Sequence, residues 1–109
     1  MGVGWVWVKL DDGFAKHPKI TGISDAALRL HLEAMCYSAA YLTDGRVPRS
    51  VVDRRGRAAS SLEQAGLWER DQSGNGWVIH DWAEYQPRAD SVLKRRARDA
   101  ERVRRWRGS

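Results

Sequence analysis

The chain has 109 residues, 42% of them apolar and 30% charged, with a net charge of +5. That length fits one domain around a single modest core, and that balance belongs to a globular chain rather than a disordered one. No apolar run approaches the roughly 20 residues that span a bilayer, and the lone Cys36 excludes an internal disulfide or a cysteine-cluster zinc site.

The first pattern, "GWVWVKL" (4–10), alternates Trp5, Trp7 and Lys9 with Val6, Val8 and Leu10. Both sets are largely apolar, which predicts a strand covered on both faces. No basic leader precedes the run, so it does not read as a signal peptide, and the cytoplasm is the expected compartment. "DDGFAKHPKITGIS" reads as a loop punctuated by Pro18 and Gly22, with a helical turn around Phe14–His17. Ser24 or Asp25 then caps the strongest helix, 25–42. Leu28, Leu32, Met35, Cys36, Ala39 and Leu42 fall on one face of it at helical spacing. Met35, Cys36 and the nearby tyrosines read as packing rather than chemistry.

"TDGRVP" (43–48) ends that helix in a turn, with room for a very short strand at Arg46-Val47. Pro48 can open a second helix at its first position, burying Val51 and Val52 and stopping at Gly56. A third helix over 57–65 buries Ala58 or Ala59, Leu62 and Ala65, and Gly66 supplies the left-handed residue that ends it. Two tryptophan-bearing runs, "LWERD" and "GWVIHDW", flank Gln72-Ser73-Gly74-Asn75, the turn of a hairpin. After Pro87, "ADSVLKRRARDAERVRRWR" predicts a helix supported by the i,i+4 pairs Asp90–Lys94 and Glu101–Arg105. Its apolar stripe, Leu93, Ala97, Ala100 and Val103, is too thin for a coiled coil. Arg96, Arg104 and Arg107 interrupt it too often for a membrane helix.

Helix, tiny strand, helix, tight turn, helix and hairpin make an α+β chain ordered as a winged helix-turn-helix. The expected domain covers 1–87, with an N-terminal strand, and a basic C-terminal helical tail covers 88–109. In that fold the hairpin pairs with the short strand and its tip stands as a wing beside the recognition helix, which enters the DNA major groove.

"DDGFAKHPKI", "LTDGRVP", "AGLWE" and "GWVIHDWAEYQP", in that order and ahead of an Arg-rich helix, resemble small proteins of actinobacterial phages and prophages. Those are described as winged-helix, replication-initiation-like or helix-turn-helix DNA-binding proteins. The resemblance covers nearly all of residues 5–107. It implies binding to double-stranded DNA in replication initiation or transcription regulation, in the bacterial host cytoplasm beside the nucleoid, and it supplies no catalytic residue. The chain departs from the pattern between the second and third helices, where "DRRGRAASS" replaces an expected apolar or acidic position.

With Leu62 at the centre of the buried face of the third helix, Arg57, Ser60 and Gln64 cluster on the opposite side, with Ser61 and Glu63 on the flanks. Arg and Gln make bidentate contacts to base edges, and Ser serves bases or phosphates. Arg54 and Arg55 lie where phosphates would pass, and Arg70 and Asn75 on the wing reach toward the backbone between the acidic Glu69 and Asp71. Trp68, Trp77 and Trp82 read as core and hairpin packing rather than stacking platforms for single strands.

Charge divides unevenly along the chain. Residues 1–87 hold ten Lys/Arg against eleven Asp/Glu, a net −1, and residues 88–109 hold nine against three, a net +6. A block of this kind seeks a polyanion. Read as a helix, it places Lys94, Arg98 and Arg105 on one face, with Arg95 and Arg102 beside them.

An enzyme needs a constellation of reactive groups, and the sequence offers only His80-Asp81 with Glu84. His80 and Glu84 share a helical face only if the strand has ended: two candidate ligands and no third. Neither a glycine-rich phosphate loop nor a nucleophile elbow is present. The expectation is a non-enzyme without cofactor or metal, partnered by double-stranded DNA, with a homodimer allowed and no membrane partner. The near-neutral body keeps one alternative open: a protein-interaction adaptor for replication or other host or phage machinery, with the basic tail as its docking peptide.

Overall fold

The computed structural model describes residues 8–80, Trp82 and 89–108, and in the last of these segments the side chains of 93–106. A 3-10 turn, Phe14–Lys16, precedes α1 (Pro18–Thr21), and α2 (Asp25–Tyr41) follows. Then come β1 (Arg46–Pro48), α3 (Arg49–Val52), α4 (Gly56–Gln64), β2 (Trp68–Arg70), β3 (Gly76–Ile79) and α5 (Ala89–Gly108). The strands form one antiparallel sheet in the order β1-β3-β2, so the chain is α+β. Residues 8–10 are not in a strand, and the rest of the expected N-terminal strand lies outside the described residues. So does the junction expected at 87–88.

Ser24 caps α2, its Oγ accepting from Ala27 N–H at 3.1 Å, and Asp25 in the first turn suits the positive end of the helix dipole. The other end turns on Leu42, which takes the left-handed conformation (φ 56°) as Thr43 N–H donates back to Ser38 O at 3.1 Å. Ser38 is buried because it ties this end to β1: its Oγ accepts from Gly45 N–H at 2.6 Å and lies 2.7 Å from the Thr43 hydroxyl. That network holds a non-glycine residue where glycine would normally stand.

The buried face of α2 is not the one expected. Ala27, Leu30, His31, Ala34, Met35, Ser38 and Ala39 are buried, whereas Leu28, Leu32 and Leu42 are half-buried and Cys36 is exposed. Only Met35 and Ala39 belong to both faces. The cause is close packing against α4, which offers Ala58, Ala59 and Leu62. Small residues let two helices approach, so alanines take the centre of the seam and the bulkier leucines flank it.

The second helix is also shorter than predicted. It ends at Val52, because Asp53 turns the chain with φ 55° and ψ −117°. Pro48 stands before the helix as the last residue of β1, an edge strand, where a missing N–H is tolerated. Gly56 opens α4 instead of closing α3. The end of α4 matches the expectation: Gly66 has φ +78°, its N–H donates to Glu63 O, and Leu67 N–H donates to Leu62 O, both at 3.0 Å. Those two bonds are the Schellman motif, and they deliver the chain directly into β2.

In the hairpin Trp68 pairs with Ile79 and Arg70 with Trp77, while on the other edge of β3 Val47 pairs with Trp77 and Pro48 with Gly76. Asp71 shapes the turn, accepting from the Ser73 hydroxyl at 3.0 Å, a bond that lowers its carboxyl below the usual range. Trp68, 1% exposed, is the largest fully buried side chain. Its indole N–H donates to His31 Nδ1 at 3.0 Å, joining the sheet to α2.

Burial lowers the His31 pKa from 6.5 to about 4. The unfolded chain therefore binds a proton at pH 5 that the folded chain refuses. His31 should contribute its full stability above pH 6.5 and lose it as pH falls to 4, about 3 kcal/mol in all. The geometry agrees, because a protonated ring would aim an N–H at the Trp68 N–H. Urea denaturation between pH 7.5 and 4.5 should show this slope, and His31→Leu should flatten it while costing about 1–3 kcal/mol at neutral pH. An unchanged slope in the variant would assign the effect to other groups.

Candidate nucleic-acid interface

Helix α4 buries Ala58, Ala59 and Leu62, which fixes the direction of everything else on it. Arg57, Ser60 and Gln64 are exposed and Ser61 half-buried, at spacings that form one stripe opposite the buried face. The helix starts without a side-chain cap, so its first-turn amides are free of that competition. Arg54 is exposed in the α3–α4 turn.

Two of the expected phosphate ligands are engaged in structural contacts. Arg55 Nε donates to Val52 O at 3.2 Å and Nη2 to Val51 O at 2.7 Å, while Nη1 bonds Glu33 on α2. This guanidinium caps the carbonyl end of α3 and ties it to α2. Arg70 Nε pairs with Glu63 at 3.1 Å, and the same carboxylate oxygen accepts from the Trp77 indole N–H. Glu63 thus faces the hairpin and clamps it to α4, which gives this acidic residue a structural role.

The wing is held from the other side as well. Arg49 Nη2 donates to Gly74 O at 3.0 Å, linking the start of α3 to the loop tip. Asn75 is exposed there and lines a shallow hollow with Arg46 and Asp71. Arg46 and Arg49 are cations near the wing that the sequence reading did not single out. The signal was the strand register, since a strand at Arg46–Pro48 pairing with β3 brings both beside the hairpin.

Residues 83–88, which lead into α5, lie outside the described residues. Lys94, Arg95, Arg98, Arg102 and Arg105 are all exposed. Arg102 pairs with Asp99 at 3.2 Å, and Arg105 with Glu101 at 2.7 Å as expected; the Asp90–Lys94 pair falls outside the described side chains. Leu93 and Val103 are exposed, so the thin apolar stripe is not buried, and Trp106 is 80% exposed.

His80 Nδ1 lies 3.1 Å from Glu69 Oε1, and Asp81 and Glu84, the other members of the expected cluster, lie outside the described residues. Among the described residues no group of three or more His, Cys, Asp or Glu side chains gathers to hold a metal, and no helix is long and apolar enough to cross a membrane. Comparison with known proteins returned no matching family model, no matching curated protein and no matching solved structure.

Proposed function

We propose that the chain is a winged-helix protein that binds double-stranded DNA, with α4 as recognition helix, the β2–β3 hairpin as wing and α5 as a phosphate-binding tail. The observation that carries this reading is the stripe Arg57, Ser60 and Gln64, exposed directly opposite Leu62 on a helix whose neighbouring hairpin is pinned by Glu63. In the order α2, β1, α3, α4, β2, β3, the sheet pairs β3 with both β1 and β2, as a wing requires. Arg57 and Gln64 have the donor geometry for guanine and adenine edges, and Ser60 and Ser61 suit bases or phosphates. Arg54 and Asn75 flank them for the backbone. A role in replication initiation or transcription regulation in a bacterial cytoplasm follows from the phage-protein resemblance.

The adaptor reading draws on a specific observation too: Arg55 and Arg70, two of the cations expected to meet phosphates, already have carboxylate partners. One experiment separates the two. Duplexes selected from a random pool should show enrichment, and Arg57→Ala or Gln64→Ala should each cost about 1–3 kcal/mol on the selected site and much less on random duplex. If nothing enriches, or if both variants weaken every duplex alike, α4 does not read sequence and the adaptor reading stands.

A further inference from the structure

A cleft of about 180 Å³ lies between α1, α2 and the ends of the hairpin. Leu10, Phe14, Ile20, Met35, Leu67 and Trp82 give it apolar walls, and His31 lies in its lining. The His31 ring defines what the cleft can recognise. Its Nδ1 accepts the Trp68 indole proton, which places the ring proton on Nε2. Among the described residues nothing accepts that proton, yet no buried polar side-chain atom is left without a partner. The Nε2–H therefore opens into the cleft: one oriented donor in an otherwise greasy wall.

The rim adds charge. Lys9, Lys19 and Asp11 line it, a formal net +1 with the histidines neutral. Asp11 Oδ1 is occupied by Gly13 N–H at 2.8 Å. Lys19 Nζ lies over Gly66, 3.4 Å from where a Cβ on that glycine would stand, and has no hydrogen-bond partner among the described residues. His17 Nδ1 accepts from Lys19 N–H at 3.2 Å, so its own proton also sits on Nε2.

We infer that this cleft is a binding site for a small aromatic carboxylate, its ring held among Phe14, Ile20, Met35 and Trp82 and its carboxylate taking the His31 Nε2–H and the Lys19 ammonium. The size fits: a dry cavity of about 150 Å³ admits benzene, and 180 Å³ leaves room for one carboxylate more. The polarity fits as well, since a ligand pocket is an apolar enclosure with a few convergent polar groups. The inference is independent of DNA binding.

Benzoate, phenylacetate and 4-hydroxybenzoate, with benzylamine as the cationic control, are the probes. For ligands of about ten heavy atoms, Kd should fall at about 0.1–1 mM for the carboxylates. Binding should move the His31 ¹⁵Nε2 resonance and raise the melting temperature, and benzylamine should bind at least ten times more weakly. Lys19→Glu changes an exposed side chain and leaves the fold intact, and it should weaken the carboxylates by tenfold or more. Failure of all three carboxylates to saturate, equal affinity for benzylamine, or shifts that spare His31 would each overturn the site.

Discussion

Gly76→Ala is expected to destabilise the protein by at least about 3 kcal/mol, a large part of the stability of a small domain. Gly76 opens β3 with φ +150°, and a Cβ there would stand 2.2 Å from the carbonyl oxygen of Val47 and 3.2 Å from Pro48 Cα. Both atoms are backbone of the strand that pairs with it, so no side-chain rotation relieves the clash. The only escape is to part β1 from β3, and that also releases Val47 from the core. Three other glycines calibrate the result. At Gly74 the backbone is left-handed (φ +77°) but the space is empty, so alanine should cost about 1–2 kcal/mol. Gly66→Val should cost more than that, because a β-branched residue resists the positive φ on which the Schellman end of α4 depends. Gly56 has nothing within 4 Å and a helical backbone, so Gly56→Ala should stabilise by up to about 1 kcal/mol. Urea midpoints for the four variants check the ranking, and a Gly76→Ala no worse than Gly74→Ala would refute the β1–β3 register.

That contrast marks what a sequence can disclose. Gly66, the Gln72–Asn75 turn and the Arg46-Val47 strand act through local backbone preference, so residue type alone placed them correctly. The face of α2 depended on the partner helix. The leucine count pointed to Leu28 and Leu32, but the alanines of α4 drew Ala27 and Ala34 to the centre. Asp53 is the same lesson in the backbone, because an aspartate with φ 55° carries no mark that shortens a helix by three residues. At the candidate interface, the spacing of Arg57, Ser60 and Gln64 was legible from helical period. The fates of Arg55 and Arg70 were not, since Glu33 and Glu63 are 22 and 7 residues away in sequence and meet them only after folding. The Trp68–His31 bond, 37 residues apart, belongs with these.

Removing residues 88–109 is expected to abolish most non-specific affinity for duplex DNA while leaving the rest folded. The segment carries a net +6 on a body of net −1. Its basic side chains from 94 to 105 are exposed apart from the half-buried Arg96, so they are placed to neutralise phosphates. Two of them already have acidic partners on the same helix, Arg102 with Asp99 and Arg105 with Glu101, and the net charge discounts those acids. Each phosphate neutralised adds about 0.9 to the slope of log affinity against log salt, so truncation should flatten the slope by about 3–5 units. Between 50 and 200 mM salt, a slope of 4 amounts to a loss of more than about 100-fold, and the truncated protein should show little of it. The fold should survive because Leu93, Val103 and Trp106 are exposed and, among the described residues, the buried cluster draws its members from 27–82. Circular dichroism and a melting curve on the truncated protein check that half, and anisotropy on random duplex across a salt series checks the other. If the tail is instead a docking peptide for an acidic protein partner, duplex affinity is weak from the start and deletion hardly alters it. A truncated protein that keeps both its affinity and its salt slope removes phosphate binding from the role of α5. One that unfolds shows that α5 is part of the core.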